Sequence, residues 1–339
     1  MSLPDRITVL GAGSWGTALA VVLCHNIEKV TLWGRNTSHV STINQTRENQ
    51  RYLPGINMPA NLSATADIEA AVAGCKDFLV AVPSRGFRET IADLGNLFQV
   101  SSGDSQGLTI VSATKGFDPA SNGLLSDTVR QLLGDRAVFG VISGPSFARE
   151  TAAAMPTALT VACNELDQAR RIAEWFKTPS TRVYFSDDPV GVQLGGAIKN
   201  VMAIAAGISD GLGYGANARS ALITRGLSEM GRLGKALGGR PETFMGLTGV
   251  GDLILTCTDN QSRNRRYGMG IGAGTPQEEI LREIGQEVEG MNTVRELYNL
   301  SLSQNIDMPI TEQVYKIIYQ GKAPATAVQE LLNRAATSE

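Results

Sequence analysis

A chain of 339 residues is longer than one hydrophobic core usually spans, so two domains are expected. Hydrophobic residues make up 42% of it and charged residues 19%, which excludes a disordered or fibrous chain. The formal net charge of −3 excludes a global field that draws the protein onto nucleic acid or an anionic membrane, so any anionic ligand needs a local cluster of cations.

The N-terminal "MSLPDRITVL" lacks the apolar stretch of a signal peptide, since Gly11 interrupts the short run. "ITVL" (7–10) is β-branched and apolar and predicts a buried strand. "WGTALAVVLCHN" predicts a helix ending near Asn26, and "KVTLW" (29–33) a second strand. Gly11-x-Gly13-x-x-Gly16 thus lies between a strand and a helix, where a dinucleotide fingerprint belongs. Gly11 permits the tight turn, Gly13 a close approach of backbone to pyrophosphate, and Gly16 close packing of helix on strand. The helix N-terminus adds N–H donors and the positive end of its dipole. The other reading is a glycine-rich turn without a ligand.

After the second strand, "LWGRN" carries Arg35 where NAD sites usually place an acidic residue for the ribose hydroxyl. A guanidinium there favours the 2′-phosphate of NADPH, with NADH still accepted; a solvated arginine at a strand end is the alternative. "NQRYLPGINMP" (49–59) reads as a lid or a plain connection. Five more strands are predicted at 77–83, 107–114, 137–143, 157–163 and 181–186, with helices such as "GFRETIADLGNLF" and "ELDQARRIAEWFK" between several of them. This alternation predicts a mostly parallel, doubly wound sheet, with ligands at the carboxyl ends of its strands. Pro83-Ser84, Lys115 in "SATKG", and "SGPSFA" (143–148) occupy those ends.

From Asp188 the β-rich runs stop, which places a dinucleotide-binding domain at 1–188 and a helical domain at 189–339. "PVGVQLGGAIKNVMAIAAGISDGLG" (189–213) is long and apolar, but Gln193, Lys199, Asn200 and Asp210 interrupt it, so a central buried helix is expected and not a membrane span. Small residues at 195, 196, 203 and 207 let a neighbour approach closely. Lys199 is the residue to explain, because a lysine inside an apolar helix needs a partner or a task. A proton donor or acceptor is one reading, with Asp252 of "TGVGDLILTC" to orient it; a lysine that reaches solvent or pairs structurally is the other.

In "TDNQSRNRRYG" (258–268), Arg263, Arg265 and Arg266 lie among Ser262 and Asn264. The group reads as a solvated patch or as the clamp for a single phosphate. The four cysteines, Cys24, Cys75, Cys163 and Cys257, are widely spaced, and reduced thiols in a cytoplasmic protein are expected. His25 and His39, the only histidines, are expected at the surface. No metal-ligand spacing and no nucleophile motif appears, so no metal is expected.

Taken in order, "GAGSWGTALA", "SATKG", "VISGPSFARE", "GVQLGGAIKNVMAIAAGISDGL", "GANARSALITRGL", "GVGDLILTCT" and "NQSRNRRYG" resemble the bacterial NAD(P)-dependent glycerol-3-phosphate dehydrogenases from about residue 7 to about residue 335. The resemblance implies an N-terminal Rossmann domain and a C-terminal all-α domain of the 6-phosphogluconate-dehydrogenase type, in a cytoplasmic homodimer. It implies reversible reduction of dihydroxyacetone phosphate to sn-glycerol 3-phosphate, serving phospholipid synthesis. By motif, Lys199 falls on the proton-transfer position. Lys115, Gly144, Ser146, Asp252, Ser262, Arg263 and Asn264 match substrate-contacting positions. Ser14, Trp15, Arg35, Lys115, Ala148, Arg263, Glu287 and Glu289 match cofactor-contacting ones, beside Gly11, Gly13 and Gly16. The family's "GQVVEG" reads "GQEVEG" here, which puts Glu287 in place of a valine. Ser146 stands where members often carry threonine, and the hydroxyl is kept.

Two competing readings share parts of this pattern. A 3-hydroxyacid or 6-phosphogluconate-type dehydrogenase uses the same plan and an internal lysine but lacks the arginine-bearing segment after Asp252. A non-catalytic NADP(H)-sensing regulator needs the glycine turn and Arg35, but not Lys115, Lys199 and Asp252 together.

Overall fold

The computed structural model describes residues 3–101 and 107–335. Among them, ten strands are found: β1 Arg6–Leu10, β2 Lys29–Trp33, β3 Glu48–Asn49, β4 Leu53–Asn57, β5 Leu62–Thr65, β6 Asp77–Val80, β7 Leu108–Ser112, β8 Ala137–Ser143, β9 Thr157–Cys163 and β10 Thr181–Ser186. Eight form one sheet in the order β10-β9-β8-β7-β6-β1-β2-β5. From β5 to β8 every pairing is parallel; β9 then runs antiparallel to β8, and β10 is parallel to β9. The chain moves outward from β1 through β2 to β5 and resumes at β6 on the other side of β1. The strand order therefore reverses between β1 and β6, the crevice where such sheets take their ligands.

The alternation of the strands explains why both faces are covered. Val9, Leu79 and Val111 point into one apolar cluster, with Leu19, Leu23 and Trp175. Their neighbours Leu10, Phe78, Val80 and Ile110 point into the other, with Phe87, Ile91 and Val129. Successive side chains on a strand face opposite ways, so near-continuous apolar strands demand helices on both sides.

Three features were not anticipated from the sequence. β5 extends the sheet at its edge, segment 48–57 is a small antiparallel β3–β4 hairpin, and β9 reverses direction. The β8–β9 connection holds a single short helix, Ala148–Ala152, and β9 enters the sheet antiparallel to β8.

The described residues group into two compact units, the first falling within Met1–Asp118 and Gly123–Gln193 and the second within Pro119–Asn122 and Leu194–Glu339. The division falls inside the helix Pro189–Gly211, five residues beyond the change in sequence character at Asp188. The second unit is helical. Its central helix is long and apolar enough to cross a membrane, yet its most apolar 18-residue window is wholly buried inside the protein. Gly207 and Gly211 of that helix meet the helix Arg263–Gly272 with no side chain between them. A Cβ at Gly207 would lie 2.1 Å from the Arg265 carbonyl oxygen, and one at Gly268 2.1 Å from that of Ile204. Further helices follow at Ala216–Ala236, Asp252–Thr258, Gln277–Ile284, Glu289–Ser303, Pro309–Gln320 and Pro324–Leu332. Pro309 and Pro324 start the last two, where a missing N–H costs nothing.

Candidate active site

In the first unit the candidate groups sit where parallel strands end. Gly11 follows β1 with φ +125°, and a Cβ there would lie 2.6 Å from the Ala81 carbonyl oxygen beyond β6. Gly16 is equally constrained, since its Cβ would overlap the Gly11 carbonyl oxygen at 1.9 Å. Gly13 differs: it precedes the helix Ser14–Leu23 without a side-chain cap, and a Cβ on it meets no protein atom within 4 Å. The turn is thus closed on the protein side and open on the other, above a helix N-terminus. That arrangement fits a dinucleotide pyrophosphate. Trp15 Nε1, the Ser112 hydroxyl that ends β7 and the Ser143 hydroxyl that ends β8 are buried without a hydrogen-bond partner among the described residues, as are Trp175 Nε1 and the Thr151 hydroxyl. The short helix beginning at Ala148 packs on the Ser14–Leu23 helix.

Arg35 is exposed beyond β2 and pairs with Glu89 at 2.8 Å. Gly144 follows β8 with φ +146°, where a Cβ would press on the Ala158 carbonyl oxygen at 2.8 Å, and the Ser146 hydroxyl donates to the Gly144 carbonyl at 3.1 Å. Lys115 follows β7 and is half-buried. Asn49, which the sequence reading passed over, is fully buried; its amide donates to the Ala12 carbonyl at 3.0 Å and the Thr17 hydroxyl at 2.8 Å. It fastens the β3–β4 hairpin, the segment read as lid or connection, to the glycine turn. His39 lies within 2.9 Å of the Asn49 side-chain oxygen and is partly buried, not the surface residue expected; His25 is exposed.

In the second unit Lys199 is 6% exposed and its ammonium donates to the Asp252 carboxylate, itself 0% exposed. It also reaches the Thr256 hydroxyl at 3.0 Å, which in turn donates to the Asp252 carbonyl at 2.6 Å. Asp252 opens the helix Asp252–Thr258 directly after one wide, π-helical turn, Leu247–Gly251. Gly195 lets that turn come close, because a Cβ would sit 2.3 Å from the Thr248 carbonyl oxygen. One helical turn further along the same helix stands Lys199, so the glycine sets the lysine against the aspartate. Thr256 escaped the sequence reading, although its i+4 spacing from Asp252 puts both on one helix face. Burial pushes the neighbouring Cys257 thiol up to about 12 despite Lys199 and Arg265, so no thiolate competes for this ammonium.

The arginine cluster divides by role. The segment is a helix from Arg263 onward, and the Ser262 hydroxyl caps it by accepting from the Arg265 N–H at 3.2 Å. Arg265 is no phosphate ligand: it is buried, pairs with Asp210 at 2.5 Å and donates to the Cys257 carbonyl at 3.0 Å. Arg266 is exposed. Arg263 is half-buried and donates to the Glu287 carbonyl at 3.0 Å and Gln286 Oε1 at 3.2 Å. Asn264 donates to Asn200 Oδ1 at 2.9 Å and accepts from the Gly290 N–H at 3.0 Å. Ser262, Arg263 and Asn264 are therefore gathered with segment 286–290, which holds Glu287 and Glu289. Through Asn200 this group touches the residue next to Lys199. Among the described residues no set of three or more histidine, cysteine or carboxylate side chains is placed to hold a metal.

The sequence model of the NAD-dependent glycerol-3-phosphate dehydrogenase N-terminus matches residues 6–169, and that of the C-terminus residues 188–329. This chain belongs to the NAD-dependent glycerol-3-phosphate dehydrogenase family. A glycerol-3-phosphate dehydrogenase [NAD(P)+] of Pseudoalteromonas translucida is 50% identical over 99% of this chain and 98% of its own length. The crystal structure of glycerol-3-phosphate dehydrogenase from Coxiella burnetii superposes with a TM-score of 0.92 at 45% identity, covering 98% of this chain and 99% of that one. The enzyme from Saccharomyces cerevisiae aligns at 28% identity with a TM-score of 0.82, covering 98% of this chain and 100% of that chain. Membership of this family leaves the hydroxyacid-type and sensor readings unfavoured and makes the protein an NAD(P)-dependent oxidoreductase.

Proposed function

We propose that this enzyme carries out the reversible NAD(P)H-dependent reduction of dihydroxyacetone phosphate to sn-glycerol 3-phosphate. The observation that carries the reading is the Lys199 ammonium, buried in the helical unit on Asp252 and Thr256. An ammonium so oriented is a proton donor with a fixed direction. The bound dinucleotide supplies the hydride. Lys199 then hands its proton to the oxygen developing at C2, and Lys115 supplies positive charge to stabilise that oxygen. Asp252 holds the lysine in place while the proton leaves and returns. Arg263 and Asn264, with Ser262 at the helix start, hold the phosphate, and binding energy from that remote group orients the carbonyl.

The glycine turn, Ser14, Trp15 and Ala148 form the dinucleotide cradle in this reading, and Lys115, Arg263, Glu287 and Glu289 add contacts to it. Arg35 favours NADPH over NADH. Gly144 and Ser146 belong to the substrate set. A homodimer in the cytoplasm that feeds phospholipid synthesis completes the proposal. The decisive test follows NADPH oxidation with dihydroxyacetone phosphate and with unphosphorylated dihydroxyacetone. Rapid oxidation with the phosphate ester alone supports both the reaction and the anion clamp; equal rates with both compounds refute the clamp, and no oxidation with either refutes the reaction.

A further inference from the structure

The half-buried Lys115 stands in a segment whose neighbours are all buried. Thr114 donates to the Val82 carbonyl at 2.7 Å, which ties the end of β7 to the end of β6. Gly116 has φ +136°, a turn that only glycine takes without strain. Phe117 is 0% exposed. Asp118 comes last, 1% exposed, and no catalytic step described above uses it. Its Oδ2 receives Arg88 Nε at 3.0 Å and Nη2 at 2.5 Å, together with the Thr128 hydroxyl at 3.2 Å. Its backbone N–H donates to the Gly123 carbonyl at 3.0 Å. Arg88 lies one turn into the helix Ser84–Ser101 that follows β6, and it also donates to Gln131 Oε1 at 3.0 Å.

We propose that Asp118 and Arg88 are a positioning pair that holds the Lys115 segment in its working conformation. The proposal rests on the reading that Lys115 stabilises charge on the substrate. Three arguments carry it. A buried carboxylate is expensive unless paired, and here one oxygen collects three donors from two helices. The pair closes the segment only three residues after Lys115, while Thr114 closes it one residue before. Phe117 anchors it between them, so the lysine is the side chain of 114–118 that is not buried. The partner is an arginine, whose two donors on a single oxygen fix direction as a lysine cannot.

The test uses the full-length enzyme with the variants Asp118→Asn, Arg88→Gln and Lys115→Ala, and the double variant Lys115→Ala/Asp118→Asn. Steady-state rates with dihydroxyacetone phosphate are measured beside the Kd for NADPH and the thermal midpoint. Asp118→Asn and Arg88→Gln are each expected to lower kcat/KM for dihydroxyacetone phosphate about tenfold or more, roughly one hydrogen bond to a charged group. NADPH binding is expected to stay within about twofold, and Arg88→Lys to recover part of the loss. In the Lys115→Ala background Asp118→Asn should cost no further activity, because nothing is left to position. Arg88 is one-third exposed, so its variants report even where Asp118→Asn fails to fold. The positioning role is overturned if folded Asp118 and Arg88 variants keep full kcat/KM, or if Asp118→Asn costs the same factor with or without Lys115. An active Lys115→Ala enzyme instead removes the role of Lys115, and this proposal with it.

Discussion

The Lys199 ammonium meets the Asp252 carboxylate inside the helical unit, with the Thr256 hydroxyl 3.0 Å from the same nitrogen. Both charges are taken out of water, and an ion pair so placed holds geometry more than it adds stability. Lys199→Ala is expected to lose on the order of 10²–10⁴ in turnover, the usual worth of a positioned general acid. NADPH binding should survive in that variant, since Lys199 is not among the residues assigned to the coenzyme. Turnover near that of the parent, measured by NADPH oxidation, would remove Lys199 from the reaction.

Asp252→Asn tests the pair from its other end. Leaving the buried ammonium without its counter-charge should destabilise the fold by about 3–5 kcal/mol. Urea unfolding at neutral pH checks this, and a midpoint unchanged from the parent would contradict it.

Gly13 and Gly11 should fail in different ways. Gly11→Ala strains the backbone and strikes Ala81, so it costs folding stability. Gly13→Ala meets only open space, so stability should stay within about 0.5 kcal/mol while the Kd for NADPH rises. Calorimetric titration beside thermal unfolding separates the two, and unaltered NADPH affinity in Gly13→Ala would show that the open face is not where the pyrophosphate lies.

If Arg35 takes the 2′-phosphate as proposed, its exposed pair with Glu89 competes for the same guanidinium. Such pairs contribute only about 0–1 kcal/mol, so the competition is mild. Glu89→Gln should lower KM for NADPH a few-fold and leave NADH untouched, whereas Arg35→Ser should raise KM for NADPH selectively. Parallel shifts for both coenzymes would deny Arg35 any part in telling them apart.

Glu229 supplies a pH dependence away from the chemistry. It is buried at the start of the Pro309–Gln320 helix, accepts from the Ile310 and Thr311 N–H groups, and burial pushes its pKa up to about 7. The folded protein therefore holds a proton that the unfolded chain releases near pH 4.5. The resulting stability is complete below that pH and is lost as pH rises through about 7, by up to ~3 kcal/mol. Glu229→Gln should flatten this decline in chemical unfolding at pH 5 and pH 8, and an equal decline in both proteins would assign it elsewhere.

Much of this was readable from the sequence because the physics was local. The apolar strands, the glycine spacing and a lysine amid "GGAIKNVMAIAAG" each declare themselves within a dozen residues. What stayed hidden depends on distant partners. The direction of β9 is set by how it pairs with β8, and the burial of Arg265 by Asp210 in another helix. Four residues, 119–122, pack with the helical unit while both flanks belong to the sheet unit, which no local pattern announces.

The bare-backbone crossing at Gly207, Gly211, Gly268 and Gly272 has one more consequence. Lys199 rides on one of the two helices, and Arg263 and Asn264 open the other. With no side chain at the crossing to swell or shrink, main-chain radii set the span between the two helix backbones there. That span is a ruler without an adjusting screw. On the roles proposed for Lys199, Arg263 and Asn264, four missing methyl groups help set the distance between carbonyl and phosphate that the site accepts.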